Sequence, residues 1–184
     1  MDFIFLARYI SVISNHNELA SMSKQESLET ILKLGKANWP EAFDSFRPTI
    51  LMIHRIHSHL DDDLEDIIAG HDLQKADFGI LMTLRRSGEP YCLSPTDLYR
   101  SMLFSSGGLT KVLSRVEKAG LVERLENPQD GRSKLVKLTD TGRKLIEQVA
   151  LTLHQQEQRQ LDVLTADEKQ QLEQLLNKVL GQWE

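Results

Sequence analysis

The chain has one cysteine, Cys92, in 184 residues. It therefore makes no internal disulfide, and a reducing compartment fits. Proline and glycine are sparse, five and ten residues, and there is no low-complexity tract, so no long disordered tail is expected. No apolar run is long enough to cross a bilayer. The nearest approach to a targeting segment is the opening MDFIFLARYISVI. Asp2 stands where a signal peptide wants positive charge, Arg8 interrupts the apolar run, and no small-residue cleavage site follows. A cytoplasmic protein is the expectation. Phosphate-binding glycine loops, GxSxG and HExxH are all missing, and no Ser/His/Asp set stands out, so an enzyme is not expected. Nor is there an excess of positive charge. The net charge of −5 argues against an undirected nucleic-acid binder.

What is present is unevenly spread. Residues 94–144 hold ten Lys/Arg against six Asp/Glu, a local charge of +4, and the remainder carries −9. A basic module inside an acidic chain suits local phosphate contact, with the acidic faces repelling DNA elsewhere. The length allows one good core, or one domain with a dimerising extension.

Residues 1–24 read as an N-terminal extension, apolar without a clean period, with Met22 as an alternative start. Residues 25–70 read as helices that dimerise or line a pocket. A short helix over 25–37 ends near Gly35 and Trp39-Pro40. A long one follows from about Glu41 to Ile68, bent at Pro48. Its apolar positions Phe43, Phe46, Ile50, Ile53, Leu60, Leu64 and Ile67 recur by threes and fours, with His57 inside the series. The helix over 74–87 buries Ile80, Leu81 and Leu84 and carries Asp77 in its first turn, where negative charge suits the helix dipole. Ser94 caps the next helix, with Pro95 at its first position and Asp97 at its third. Residues 145–184 are helical and read as a second dimerising segment. Thr139 caps the helix that leads into it, and Thr165 with Glu168 makes a capping box for the last one. Leu172, Leu175, Leu176, Val179 and Trp183 form its apolar stripe.

The centre of the chain is residues 71–144, read as a winged helix-turn-helix. A helix over 105–119 buries Leu109, Val112, Leu113 and Val116. Its opposite face carries Gly107, Lys111, Ser114 and Lys118, with Thr110 and Arg115 at the edges. These short hydrogen-bonders and cations suit base edges and phosphates, although the cations read equally as a solvated face. Ser105 or Ser106 would cap the helix and aim its N-terminal N–H groups at a phosphate. Residues 121–126 and 133–138 read as paired strands around the loop NPQDGR. Arg132 at the hairpin tip would enter a narrow minor groove. Asp130 would orient a neighbouring cation or simply make the turn. Lys134 and Lys137 sit where backbone contacts fall.

The stretch LSPTDLYRSMLFSSGGLTKVLSRVEKAGLVERLENPQDGRSKLVKLTDTG resembles the winged-helix core of the MarR family of bacterial regulators. Asp130-Gly131-Arg132 matches its D-x-R wing signature, with Leu138-Thr139 at the family's distance, and the likeness runs from about Trp39 to the C-terminus. The resemblance implies a mainly α fold with a small β-wing, flanked by N- and C-terminal dimerisation helices. It implies a homodimer on double-stranded DNA with a palindromic operator, each winged lobe reading a half-site. It also implies a ligand-responsive repressor of a nearby promoter, relieved by a small aromatic or anionic effector. Trp39, Arg55, His57 and Arg86 are the candidate effector contacts. Urate-responsive members resemble residues 78–86, but Gly79 stands where they carry an acidic residue. No cofactor and no resident metal is implied. The alternative is a redox- or metal-responsive regulator on the same scaffold. His54, His57 and Asp61 share a helix face that would suit zinc, and Cys92 lies just before the DNA module. A solvated acidic face and a small buried thiol are the plainer readings.

Overall fold

The computed structural model describes residues 26–102, 108–128 and 133–184. It divides into two compact units, the first ending at Arg55 and the second running from Ile56 to Glu184.

In the first unit, helix α1 spans Leu28–Asn38 and is capped by Ser27, whose hydroxyl accepts from the Thr30 N–H at 3.1 Å. A one-turn helix, α2, spans Pro40–Phe43. The Phe43 and Phe46 rings meet at 5.1 Å between centroids, and a Cβ on Gly35 would collide with the Phe43 ring. Helix α3 spans Thr49–Ala69. The single bent helix expected from Glu41 to Ile68 is therefore two helices with a break between them. The reason lies in Pro48. It has no N–H for the ladder, and its ring drives the residue before it away from helical angles. Pro48 instead serves the start of α3, its carbonyl accepting from Met52 N at 2.9 Å.

The second unit is built on α4, Lys75–Arg86. Asp77 accepts from the Gln74 N–H at 2.9 Å and so closes the first turn. Phe78, Ile80, Leu81 and Leu84 are all buried, because α4 is covered on several sides at once. Packed on it are α5 (Pro95–Ser101), α6 (Leu109–Lys118), strand β3 (Lys134–Leu138) and α7 (Asp140–Gln160). Each such side chain contributes about 1.5–3 kcal/mol as an upper figure. Leu64 and Ile68 of α3, Leu98 of α5, Val112, Leu113 and Val116 of α6, Val136 of β3, and Ile146, Val149 and Leu153 of α7 complete the same core. Ser94 caps α5 as expected, accepting from Asp97 N at 3.1 Å.

The sheet has three strands in the order β1-β3-β2, all antiparallel. Strand β2 is Val122–Glu126, and its register pairs Val122 with Leu138 and Glu126 with Lys134. Strand β1, Cys92–Leu93, was not anticipated: it pairs Cys92 with Lys137 and Leu93 with Val136. A two-residue strand has no periodicity to read, and it exists only because β3 offers a free edge.

Thr139 caps α7 through the Gly142 N–H at 3.0 Å. Helix α8, Ala166–Leu180, starts with the expected capping box: Thr165 N donates to Glu168 at 2.8 Å and Glu168 N to the Thr165 hydroxyl at 3.3 Å. Leu172, Leu175, Leu176, Val179 and Trp183 all stand exposed on this single chain, Trp183 at 76%.

Candidate nucleic-acid interface

Helix α6 presents the site. It begins at Leu109 rather than near residue 105, and its cap position is held by Gly108 at φ 90°. That left-handed backbone is open to glycine without steric cost. Ser105, Ser106 and Gly107 lie outside the described residues, as do Asp130 and Arg132 of the wing.

Within α6 the wheel closes as expected. Val112, Leu113 and Val116 are buried, and Leu109 packs against them. Thr110, Lys111, Ser114 and Lys118 are exposed. The exposed face is therefore hydroxyls and ammonium groups, with no carboxylate at its centre. Glu117 is on one flank, where Arg124 of β2 comes within 3.8 Å.

Arg115 is on the other flank, where it meets Asp77 of α4. Its Nε donates to both carboxylate oxygens of Asp77 at 3.0 Å, and an Nη lies 2.8 Å from Oδ1. The Asp77 side chain is 2% exposed and that of Arg115 41%. Nothing in the sequence signals this pair, because the two residues are 38 positions apart.

The wing carries its own cations. Lys137 pairs with Glu123 at 3.0 Å across β3 and β2, and Lys134 with Glu126 at 3.5 Å. Both Lys134 and Glu126 are well exposed, and such a pair contributes little to stability. Asn127 donates to the Ser133 hydroxyl at 2.8 Å, tying the described ends of the wing loop together.

The corner between α6 and the wing is fastened from below. The Thr139 hydroxyl donates to the carbonyls of Gly120 at 2.8 Å and Leu121 at 3.1 Å, and Thr139 N also reaches Leu121 O at 3.1 Å. Gly120, at φ 71°, makes the turn out of α6. Arg85 at the end of α4 stacks over the Tyr91 ring at 5.1 Å and pairs with Glu147 of α7 at 2.6 Å. Hydrogen bonding from Arg85 holds the Glu147 carboxyl below its ordinary range, with Arg143 adding to the effect.

The candidate effector residues fall in separate units. Trp39, 55% exposed, and Arg55, which donates to the Glu26 carbonyl at 3.1 Å, belong to the first. His57 and Arg86 belong to the second, and both are exposed. Among the described residues no group of three His, Cys, Asp or Glu side chains comes together to hold a metal, so His54, His57 and Asp61 do not assemble into one. Cys92 is half-buried, and that burial pushes its thiol above the ordinary value, with nearby Lys137 opposing.

An α5–α6 pair with an outward polar face, followed by a hairpin locked to it, defines a winged helix-turn-helix protein. A profile of the MarR family matches residues 71–133. The multiple antibiotic resistance protein MarR of Escherichia coli K12 is 36% identical over 144 residues, covering 76% of this chain and 96% of that protein. The HTH-type transcriptional regulator PecS of Dickeya dadantii is 33% identical over 127 residues, covering 69% of this chain and 76% of PecS. Among solved structures, a mutant MarR from E. coli complexed with operator DNA superposes with a TM-score of 0.57 at 32% identity, over 85% of this chain and 99% of that one. NadR in complex with 4-hydroxyphenylacetate gives 0.57 at 25% identity, over 73% and 94%. The chain belongs to the MarR family of winged helix-turn-helix transcriptional regulators, and it is not an enzyme. Among the described residues no helix is long and apolar enough to cross a membrane.

Proposed function

We propose that this chain works in the cytoplasm as a homodimeric repressor on a palindromic operator, released when a small aromatic or anionic ligand binds. The observation that carries the reading is the outward face of α6, with Lys111, Ser114 and Lys118 at its centre. That face sits on a chain similar along most of its length to an operator-bound MarR. In this reading Thr110, Lys111 and Ser114, with Ser105, Ser106 and Gly107 ahead of them, meet bases and phosphates in the major groove. Lys134 takes a backbone phosphate, and Arg132, oriented by Asp130, enters the minor groove. The stripe of Leu172, Leu175, Leu176, Val179 and Trp183 supports the dimer. A monomer would leave it in water, and a second copy would bury it.

The ligand class rests on NadR, whose solved ligand is a small aromatic anion. Trp39, Arg55, His57 and Arg86 are the residues of this chain with matching chemistry. The redox alternative has less support, since burial holds Cys92 toward the unreactive thiol.

A duplex selected by the full chain from a random pool provides the probe. Lys111→Ala and Arg132→Ala should each weaken its binding and flatten the salt dependence. Leu175→Asp should shift sedimentation from dimer to monomer and abolish tight binding. Unchanged affinity in both Ala variants would overturn the DNA assignment. Release by 4-hydroxyphenylacetate, but not by oxidant or chelator, would support the ligand class, and the reverse would favour the alternative.

A further inference from the structure

An arginine on the flank of a recognition helix is ordinarily counted as a phosphate contact. Here one edge of its fork is already taken. Nε and one Nη of Arg115 point at Asp77, a carboxylate almost fully buried in α4. Asp77 in turn uses Oδ2 to hold the first turn of α4 through Gln74 N at 2.9 Å. The carboxylate is thus fixed by its own helix and cannot follow Arg115 outward. On the far flank of α6, Glu117 is drawn toward Arg124 of β2. The buried stripe of Val112, Leu113 and Val116 holds α6 to the core through apolar burial, which is non-directional. A directional pair on the flank supplies what the stripe lacks, since side-on carboxylate–guanidinium geometry fixes angle as well as distance.

We infer that Asp77 is a positioning residue for DNA recognition. Through Arg115 it sets the rotation of α6, so that Lys111, Ser114 and Lys118 face the groove together. Arg115 is then a strut and not a phosphate contact. Asp77 touches no DNA, yet it governs how well the operator is told from other sequences. This inference rests on the DNA-binding reading above.

Two physical consequences separate a strut from a contact. Losing a phosphate contact lowers the slope of log affinity against log salt by about 0.9, whereas losing a strut leaves the slope unchanged. A lysine replaces an arginine at a phosphate but not at a side-on carboxylate pair.

The test uses the full chain and the duplex it selects from a random pool, with fluorescence anisotropy at several salt concentrations. Asp77→Asn, Arg115→Lys and Arg115→Ala are each expected to lose about tenfold in affinity for the selected duplex, with the wild-type salt slope and little loss on a scrambled one. The Asp77→Asn/Arg115→Ala double variant should be no weaker than either single one. The inference is overturned if Asp77→Asn binds like wild type. It is also overturned if Arg115→Ala lowers the slope by one contact while Arg115→Lys restores binding. Should Asp77→Asn fail to fold by circular dichroism, Arg115→Lys decides the matter alone, because its flank position tolerates a lysine. If the wild-type chain selects no duplex, the DNA-binding reading itself falls and this inference with it.

Discussion

Gly142, in the first turn of α7, lies so close beneath the Leu121 carbonyl that a Cβ on it would overlap that oxygen. The same carbonyl accepts from both the amide and the hydroxyl of Thr139. The end of α6, the start of β2 and the start of α7 therefore meet at one corner, and the missing side chain of Gly142 is what lets them meet.

Gly142→Ala should destabilise the chain by about 1–3 kcal/mol through overpacking, although alanine is the better helix former by about 1 kcal/mol. Urea denaturation followed by circular dichroism measures it. A stabilised variant would mean that the corner is looser than described.

Thr139→Ala removes the α7 cap and two hydrogen bonds to the corner, and should cost about 1–2 kcal/mol. Thr139→Ser keeps the hydroxyl and should melt close to wild type. Equal melting temperatures for Ala and Ser would reject the capping argument.

Lys111→Ala and Lys118→Ala should each reduce the salt slope of duplex binding by about 0.9. Glu117→Ala, on the flank facing Arg124, should leave that slope alone. Anisotropy titrations across salt give all three slopes, and unchanged lysine slopes would mean that this face is merely solvated.

Cys92 should resist alkylation. Burial raises its thiol pKa, so near neutral pH the folded chain should react with iodoacetamide more slowly than the chain in urea. The folded rate should climb only above the ordinary thiol range. Duplex binding should likewise survive mild peroxide, and rapid modification of the native chain would revive the redox reading.

The Arg85–Glu147 pair predicts an acid-side effect. The folded carboxyl is held below its ordinary value, so its contribution is present above the ordinary glutamate range. It is lost as pH falls through the depressed value. Glu147→Gln should flatten the acid limb of the stability profile while leaving the profile's shape above neutral pH unchanged. An identical acid limb in both proteins would show that the pair contributes nothing measurable.

Much of this protein was legible in its sequence, because the decisive signals were local. Ser94, Thr139 and Thr165 announced their helices through side chains that reach only three residues ahead. The i, i+3, i+4 spacing from Leu109 to Val116 fixed which face of α6 is buried. The order of helix, helix, hairpin and flanking helices identified the winged scaffold. Local signals failed where a partner was distant or a break was abrupt. Pro48 reads locally as a bend, and the structure has a break there. Cys92-Leu93 became a strand only because β3 lies alongside. Residue type alone drew Arg115 toward DNA, and only folding brought it to Asp77, because an ion pair between separate helices depends on how they pack. The sequence by itself determined the scaffold and its outward chemistry. The tertiary structure decided how that chemistry is held in place, since positioning is a matter of contacts between segments that no short-range pattern encodes.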